Sequence, residues 1–258
     1  MYQFIELTQK ERILFITLNR PEKRNALSGA LVDELKKIFL DAESDNSVKV
    51  IILRANGSVF SAGADLDYLQ QLQKNTYAEN LADSSSLAEL FKIIYHHNKV
   101  VIAQVEGHAI AGGCGLATVA DFTFAVPEAQ MGYTEVKIGF IPAIVSLFLV
   151  RKVGETRAKE LLLTGKLISA EYAKSMNLIH EVVDANEIKL FTEQFAQSLC
   201  ETTSAQSLTW TKELIAKAQE LSIEDGLKYA AELNAKCRAE EDCRKGIKSF
   251  LNKEKISW

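Results

Sequence analysis

The sequence predicts an α/β fold, with strands and helices mixed over residues 1–195 and a helical region over residues 196–258. Three observations predict it. Short runs rich in β-branched and aromatic residues recur early in the chain, as strands do. Two breaks of small residues, Ser61-Ala62-Gly63-Ala64-Asp65 and Gly107-His108-Ala109-Ile110-Ala111-Gly112-Gly113-Cys114-Gly115, each follow such a run and lead into helix-like sequence. Past Gly154 the pattern is almost wholly helical.

Arg12 to Asn19 predicts a strand, which Pro21 ends. Ser28 is a fitting helix N-cap. Leu31, Leu35, Ile38, Phe39 and Ala42 then share one helical face. Val48 to Leu53 reads as a short strand buried on both sides, and strand character continues to Phe60. Residues 64–98 are polar and helix-rich, with Asp83-Ser84-Ser85-Ser86 as a break. They read as two surface helices, with a mobile cover over a site as the other reading. A strand at Val100–Val105, a helix from Gly112 to about Ala120 and a strand at Phe122–Ala125 follow, then a loop through Glu135. Helices are expected at Thr156–Thr164, Ala170–Asn177, in the 190s, at Ala205–Ala218 and at Asp225–Phe250, with one strand at Leu178–Val183. No internal sequence repeat and no low-complexity linker stands out.

Bulk properties narrow the function. The 258 residues suffice for one large domain or a domain with a small appendage. With 47% hydrophobic and 25% charged residues the composition is that of an ordinary globular protein. A net charge of −4 gives no ground for a nucleic-acid or membrane-surface role. Cys114, Cys200, Cys237 and Cys243 form no C-x-x-C pair, so reduced thiols are expected and a zinc site is not. The N-terminus lacks a basic stretch followed by an apolar core. The apolar run Phe140–Val150 is far shorter than the roughly 20 residues that span a bilayer. A cytoplasmic protein is expected.

The two breaks carry the chemistry. Glycine and alanine let a ligand approach the backbone and leave amide N–H groups uncovered. Ala64 and Gly112 each lie where a helix starts, and helix N-termini present free N–H groups and a positive dipole end. Two such donors on one oxygen make an oxyanion hole. Either break alone reads more simply as a tight turn. The pair, with a downstream acid, favours chemistry on an acyl group.

Further matches extend over most of the chain: Asn19-Arg20-Pro21-Glu22 with Asn25-Ala26-Leu27, Phe60 to Leu66, Gly107-His108-Ala109 through Gly112-Gly113-Cys114, Ala120-Asp121, Met131-Gly132, Glu135, Gly139-Phe140-Ile141-Pro142, Leu163-Thr164-Gly165, Ala173 and Leu178. In these the chain resembles the crotonase superfamily of enoyl-CoA hydratases and isomerases. The resemblance implies a spiral of ββα turns followed by trimerisation helices, and an acyl-CoA thioester as ligand. It implies that the amides of Ala64 and Gly112 hold the carbonyl. Ala62, Gly63, Asp65 and Leu66 would run beside coenzyme A, with Lys23 or Arg24 near its phosphates. Phe250 and Lys253 would reach coenzyme A on a neighbouring subunit. A homotrimer or dimer of trimers is implied, with no metal, redox cofactor, nucleic acid or membrane.

Family hydratases commonly use two glutamates. Glu135 matches the second, whereas Gly115, a substrate-facing position by this resemblance, stands where the first is expected. One carboxyl suits a double-bond shift, and two suit addition of water. By that count the chain resembles the single-glutamate isomerases. Tyr133 to Ala143, however, resembles bacterial methylglutaconyl-CoA hydratases of leucine breakdown, with Ala143-Ile144-Val145-Ser146 in place of a glycine-rich stretch. There a water held by backbone and another polar group would replace the missing carboxylate.

Other residues read more simply. His108 is expected to be a hydrogen-bonded structural histidine, and His96-His97 has no Cys or Asp beside it to suggest a metal. Glu106 and Asp121 could orient a water or pair locally. Tyr68 and Tyr133 could reach an acyl group or simply pack. The preferred function is hydration of a 2-enoyl-CoA, with 3-methylglutaconyl-CoA as a branched candidate. A Δ3–Δ2 enoyl-CoA isomerase and a non-catalytic acyl-CoA-binding or RNA-binding protein are the alternatives.

Overall fold

In the computed structural model, which describes residues 2–258, the chain opens with an antiparallel hairpin of β1 (Ile5–Lys10) and β2 (Ile13–Leu18). β1 was not evident in the sequence: five of its six residues are exposed, so it lacks an apolar run. α1 (Gly29–Ser44) starts where the Ser28 side chain accepts the Leu31 N–H. Its expected apolar face is buried, with Val32 added.

A repeating unit follows. β3 (Val50–Ala55) and β4 (Val59–Ser61) lead into α2 (Leu66–Leu72) and α3 (Tyr77–His96). β5 (Val100–Val105) and β6 (His108–Ile110) lead into α4 (Gly112–Val119). β7 (Phe122–Ala125) and β8 (Gln130–Gly132) lead, through a 3-10 turn at Glu135–Ile138, into α5 (Ala143–Thr164). The ββα repeat exists in the backbone although no repeat is visible in the residues.

β9 (Ile168–Ser169), α6 (Ala170–Ser175), β10 (Glu181–Val182) and α7 (Ile188–Thr202) complete the sheet region. α8 (Ala205–Ala218), α9 (Ile223–Ala239) and α10 (Glu241–Asn252) form the tail. α7 crosses residue 195 and packs on β2, β3, β5 and β7, while α8 packs on α9 and α9 on α10.

The strands form two sheets. The larger has the order β1-β2-β3-β5-β7-β10 and is parallel from β2 onward. The smaller has the order β4-β6-β8-β9, with β4, β6 and β8 parallel. Burial on both faces explains the continuous apolar runs: Val50–Leu53 and all of β5 are buried, as parallel strands under helices must be.

Four sequence expectations need correction. Asp83–Ser86 does not break a helix, because α3 is continuous there. The break falls at residues 73–76, where Thr76 and Glu79 form a capping box. The helix expected from Thr156 begins at Ala143, and Gly154, with φ 76°, kinks it instead of starting it. Asp225–Phe250 is two helices, parted at Glu240 in extended conformation. Glutamate is a good helix former, so periodicity gave no stop there. The loop before Glu135 contains β8, and β6 lies within the second small-residue break. Both strands have only three residues, too few to show alternation.

Among the described residues, no helix is long and apolar enough to cross a membrane.

Candidate active site

Three parallel strands of the small sheet, β4, β6 and β8, are neighbours in that order. Each ends just before one predicted site residue. Ala64 follows β4, Gly112 follows β6 and Glu135 follows β8. Adjacent strands lie about 4.8 Å apart, so the three chain exits form a row at one end of the sheet. Ligands characteristically bind beyond the carboxyl ends of parallel strands.

The first exit is held by a short parallel ladder. Ala62 N–H donates to Arg24 O (3.0 Å), Leu27 N–H to Gly63 O (2.6 Å) and Asp65 N–H to Leu27 O (3.1 Å). These bonds bracket Ala64, which bridges Leu27. The Ala64 N–H therefore points to the other side, and among the described residues it has no protein acceptor. Asp65 then caps α2, its side chain accepting the Asp67 N–H at 3.0 Å.

The second exit is turned by Ala111, which has φ 51° and ψ −124°. Such a conformation costs a non-glycine residue about 1–3 kcal/mol and is often found at functional sites. Its own N–H donates to Gly132 O at 2.8 Å, which locks the exits of β6 and β8 together. Gly112 starts α4, and its N–H has no protein acceptor among the described residues.

The two turns touch. A Cβ on Gly63 would lie 2.8 Å from Ala111 Cβ, 3.0 Å from Ile110 O and 3.6 Å from Gly112 N. Gly63 also has φ 87°, a conformation that L side chains rarely adopt. Only glycine lets the turns meet. Gly113 serves the same approach, since a Cβ there would sit 2.6 Å from Ser61 Cβ.

Glu135 opens a 3-10 turn that Gly139 ends in left-handed conformation. Burial pushes its carboxyl above the usual range, and a hydrogen bond from its own backbone opposes this only in part. Its Oε2 is buried without a hydrogen-bond partner among the described residues. A half-buried acid with a free oxygen is poised to exchange a proton with a ligand.

Gly115 departs from expectation. It is buried, and a Cβ there would lie 2.5 Å from Val145 Cγ1 and 2.7 Å from Phe91 Cε2. The space beside it is filled by apolar side chains from α5 and α3. Neither a second carboxyl nor a ligand fits against Gly115.

The coenzyme-facing candidates divide. Lys23 pairs with Asp67 at 2.7 Å, both being exposed. Arg24, with φ 52°, is exposed and has no ion-pair partner among the described residues. The Asp65 carboxylate is taken up by the helix cap and by an ion pair with Arg20 at 2.7 Å. That leaves its backbone, not its side chain, for a ligand. Ala62 is half-buried. Leu66 begins α2, and its side chain lies outside the described residues. Phe250 is 82% exposed on α10, and Lys253 ends that helix. Both belong to the tail, whose packing within this chain runs from α10 to α9.

Several alternatives close. Tyr133 is fully buried, and its hydroxyl lies 2.5 Å from Thr118 Oγ1. His108 accepts the Gln130 N–H at 3.1 Å, as a structural histidine does. His97 is buried, with Nε2 2.9 Å from Phe39 O and Nδ1 accepting the Lys99 N–H. Asp121 pairs with Lys212 at 2.7 Å and accepts the Val101 N–H. Glu106 accepts from Gln104 and pairs with Lys189 at 3.4 Å. Among the described residues, no three His, Cys, Asp or Glu side chains converge as metal ligands would.

Sequence reasoning missed Ala111, Arg20, Phe91 and Val145. Arg20 lies inside the Asn-Arg-Pro-Glu motif and could have been found there. Phe91 looks like any apolar residue on a helix, and Val145, although it lies in the Ala143–Ser146 stretch that the sequence singled out, carried no sign there of its contact with Gly115.

Two free backbone donors on touching turns, with a half-buried acid at the next strand end, are the groups that an acyl carbonyl whose neighbouring carbon exchanges a proton would need. The family described as enoyl-CoA hydratase/isomerase matches residues 8–258. The chain is 40% identical over 249 residues to a Thermus thermophilus protein named "Putative enoyl-CoA hydratase", covering 95% of this chain and 96% of that one. It is 32% identical over 248 residues to the 2,3-dehydroadipyl-CoA hydratase of Escherichia coli, covering 96% and 95%. The crystal structure of an enoyl-CoA hydratase from Shewanella pealeana superposes with a TM-score of 0.94 at 28% identity, covering 100% of this chain and 96% of that one. The chain belongs to the enoyl-CoA hydratase/isomerase family, within the crotonase superfamily.

Proposed function

We propose that the chain hydrates a 2-enoyl-CoA, with Glu135 as its one carboxyl catalyst. The observation that carries this is the buried, unpartnered Glu135 Oε2 beside two turns with free N–H groups. The thioester oxygen accepts from Ala64 and Gly112 N–H. Those donors stabilise the charge that grows on it, each worth roughly 2.7–4 kcal/mol in the transition state. Glu135 as carboxylate takes a proton from water while the water oxygen bonds to C3. The C2=C3 electrons move toward the thioester as an enolate, and the carboxyl returns a proton to C2. The thioester and the backbone donors supply the activation, and no metal or redox cofactor is called on.

The names of the relatives support hydration. The covered Gly115 favours a second reading, a Δ3–Δ2 isomerase, in which Glu135 lifts a proton from C2 and returns it at C4. Reaction in 18O-water separates them. A hydratase places the label in its product, and an isomerase does not. If neither reaction occurs with short, medium and branched enoyl-CoAs, the enzyme reading fails. The substrates to compare first are crotonyl-CoA, 2,3-dehydroadipyl-CoA, which the Escherichia coli relative's name specifies, and 3-methylglutaconyl-CoA, which the Tyr133–Ala143 segment suggests.

On this reading Arg24, the one of these two candidates without an ion partner among the described residues, faces the coenzyme phosphates, and Lys23 serves there only by leaving Asp67. The tail forms a homotrimer or a dimer of trimers. Supporting this, α9 and α10 have no buried residues, and Ile223, Leu227, Phe250 and Leu251 are each at least 67% exposed. Phe250 and Lys253 then reach the coenzyme held by a neighbour.

A further inference from the structure

A cavity of about 390 Å3 lies between α2, α3 and the segment beyond Glu135. That volume is in the range of small-molecule sites. Two of its walls follow the site residues directly along the chain. α2 begins two residues after Ala64, and the turn carrying Ile138 begins at Glu135. Leu69, Leu72, Ile138 and Phe140 give the cavity an apolar flank.

The opposite flank, from α3, is polar. Asn80 and Asp83 both line the cavity. Asn80 Oδ1 is buried and has no hydrogen-bond partner among the described residues. Asp83 has neither ion pair nor hydrogen bond among the described residues, and burial alone pushes its carboxyl up. Neither group is engaged by the fold, and leaving buried polar groups unpaired is costly. No lysine, arginine or histidine lines the cavity. A purely aliphatic chain would leave both groups unpaired, and a terminal carboxylate would meet Asp83 with no cation to offset it. A hydroxyl can donate to Asp83 and bond to either end of the Asn80 amide.

We infer that this cavity is the acyl pocket and that Asn80 and Asp83 select acyl chains whose far end is a neutral alcohol over chains ending in a carboxylate. The inference rests on the proposed acyl-CoA chemistry. It ranks 3-methylglutaconyl-CoA and 2,3-dehydroadipyl-CoA below neutral hydroxylated chains.

The test compares 6-hydroxy-2-hexenoyl-CoA, 2-hexenoyl-CoA and 2,3-dehydroadipyl-CoA, which share a six-carbon backbone. The expected kcat/KM order is hydroxyl first, plain chain second and carboxylate last, with about tenfold or more between the extremes, the low end of what an unpaired buried polar group costs. Asp83→Leu with Asn80→Leu should bring the plain chain to the front. A carboxylate substrate equal to or better than the hydroxylated one overturns the inference. So does an unaltered order in the double variant. If none of the three turns over, hydration fails as the function. Competition binding of hexanoyl-, 6-hydroxyhexanoyl- and adipoyl-CoA then decides selectivity independently. Hydroxyl preference there sustains the inference, and equal binding or no binding overturns it.

Discussion

Val145 Cγ1 stands 2.5 Å from the point that a Cβ on Gly115 would occupy. The contact closes the position where a two-glutamate hydratase would carry its first acid, and it does so with a buried methyl group. Gly115→Glu is therefore expected to damage the fold and give no gain in hydration. Gly115→Ala should already cost about 1–3 kcal/mol by overpacking. Adding Val145→Ala should recover part of that loss. Urea midpoints of the three proteins check the claim, and a Gly115→Glu protein of wild-type stability would sink it.

Glu135 links activity and stability in opposite directions. Glu135→Gln should lower kcat by about two powers of ten or more, the usual size of a lost general acid–base. Its carboxyl is raised in the folded state, so the native protein holds that proton more tightly than the unfolded chain does. Stability from this group is present below the unfolded carboxyl range and is lost as pH rises through the raised folded value. At neutral pH Glu135→Gln should thus melt higher than wild type, with the difference vanishing in acid. A melting temperature equal to or lower than wild type at neutral pH would contradict the burial argument.

Gly63 keeps the two donor turns in contact. Gly63→Ala places a methyl group 2.8 Å from Ala111 Cβ on a backbone with φ 87°. The turns must part, and one N–H leaves its aim. The expected loss is kcat reduced by roughly two to three powers of ten, equivalent to one oxyanion donor. KM should change much less. Stopped-flow hydration of crotonyl-CoA measures both, and a change confined to KM would show that Gly63 does not align the donors.

His97 should set an acid limit to stability. Burial pushes it down to about 4 from 6.5. The unfolded chain takes up this proton first, so the stabilising contribution is present above pH 6.5 and is lost as pH falls toward 4. At 1.36 kcal/mol per unit the full loss is about 3 kcal/mol. Urea unfolding at pH 7, 5.5 and 4 should show it, and His97→Gln should flatten that dependence while lowering stability at pH 7. A wild-type curve flat over this range would refute the assignment.

The large sheet and the apolar face of α1 were legible because burial writes itself as apolar runs and helical spacing. Both small-residue turns were legible for a different reason: glycine and alanine clustered after a strand mark a tight turn, and only the pair with a downstream acid suggested donors. The short strands β6 and β8 were hidden because three residues carry no period. Ala111 was hidden because its backbone is set by the Gly132 contact, which lies 21 residues away in the chain. The closure of Gly115 was hidden for the same kind of reason. Phe91 and Val145 come from two different helices, and only packing brings them together. Asn80 fell in a stretch read as a polar surface helix and Asp83 in a supposed break between helices, since nothing in their spacing marks a cavity.

The row of β4, β6 and β8 has a consequence for how this scaffold changes. Each strand end works as a separate socket. On the proposed chemistry the first two sockets contribute backbone, so their grip on the thioester oxygen does not depend on the side chains around them. The third contributes a side chain and can be refitted by a single substitution. The floor beneath is a fourth place, sealed by Val145 and Phe91. Chemistry on such a frame can therefore diversify by exchanging one fitting at a time, while the larger sheet behind it stays as it is.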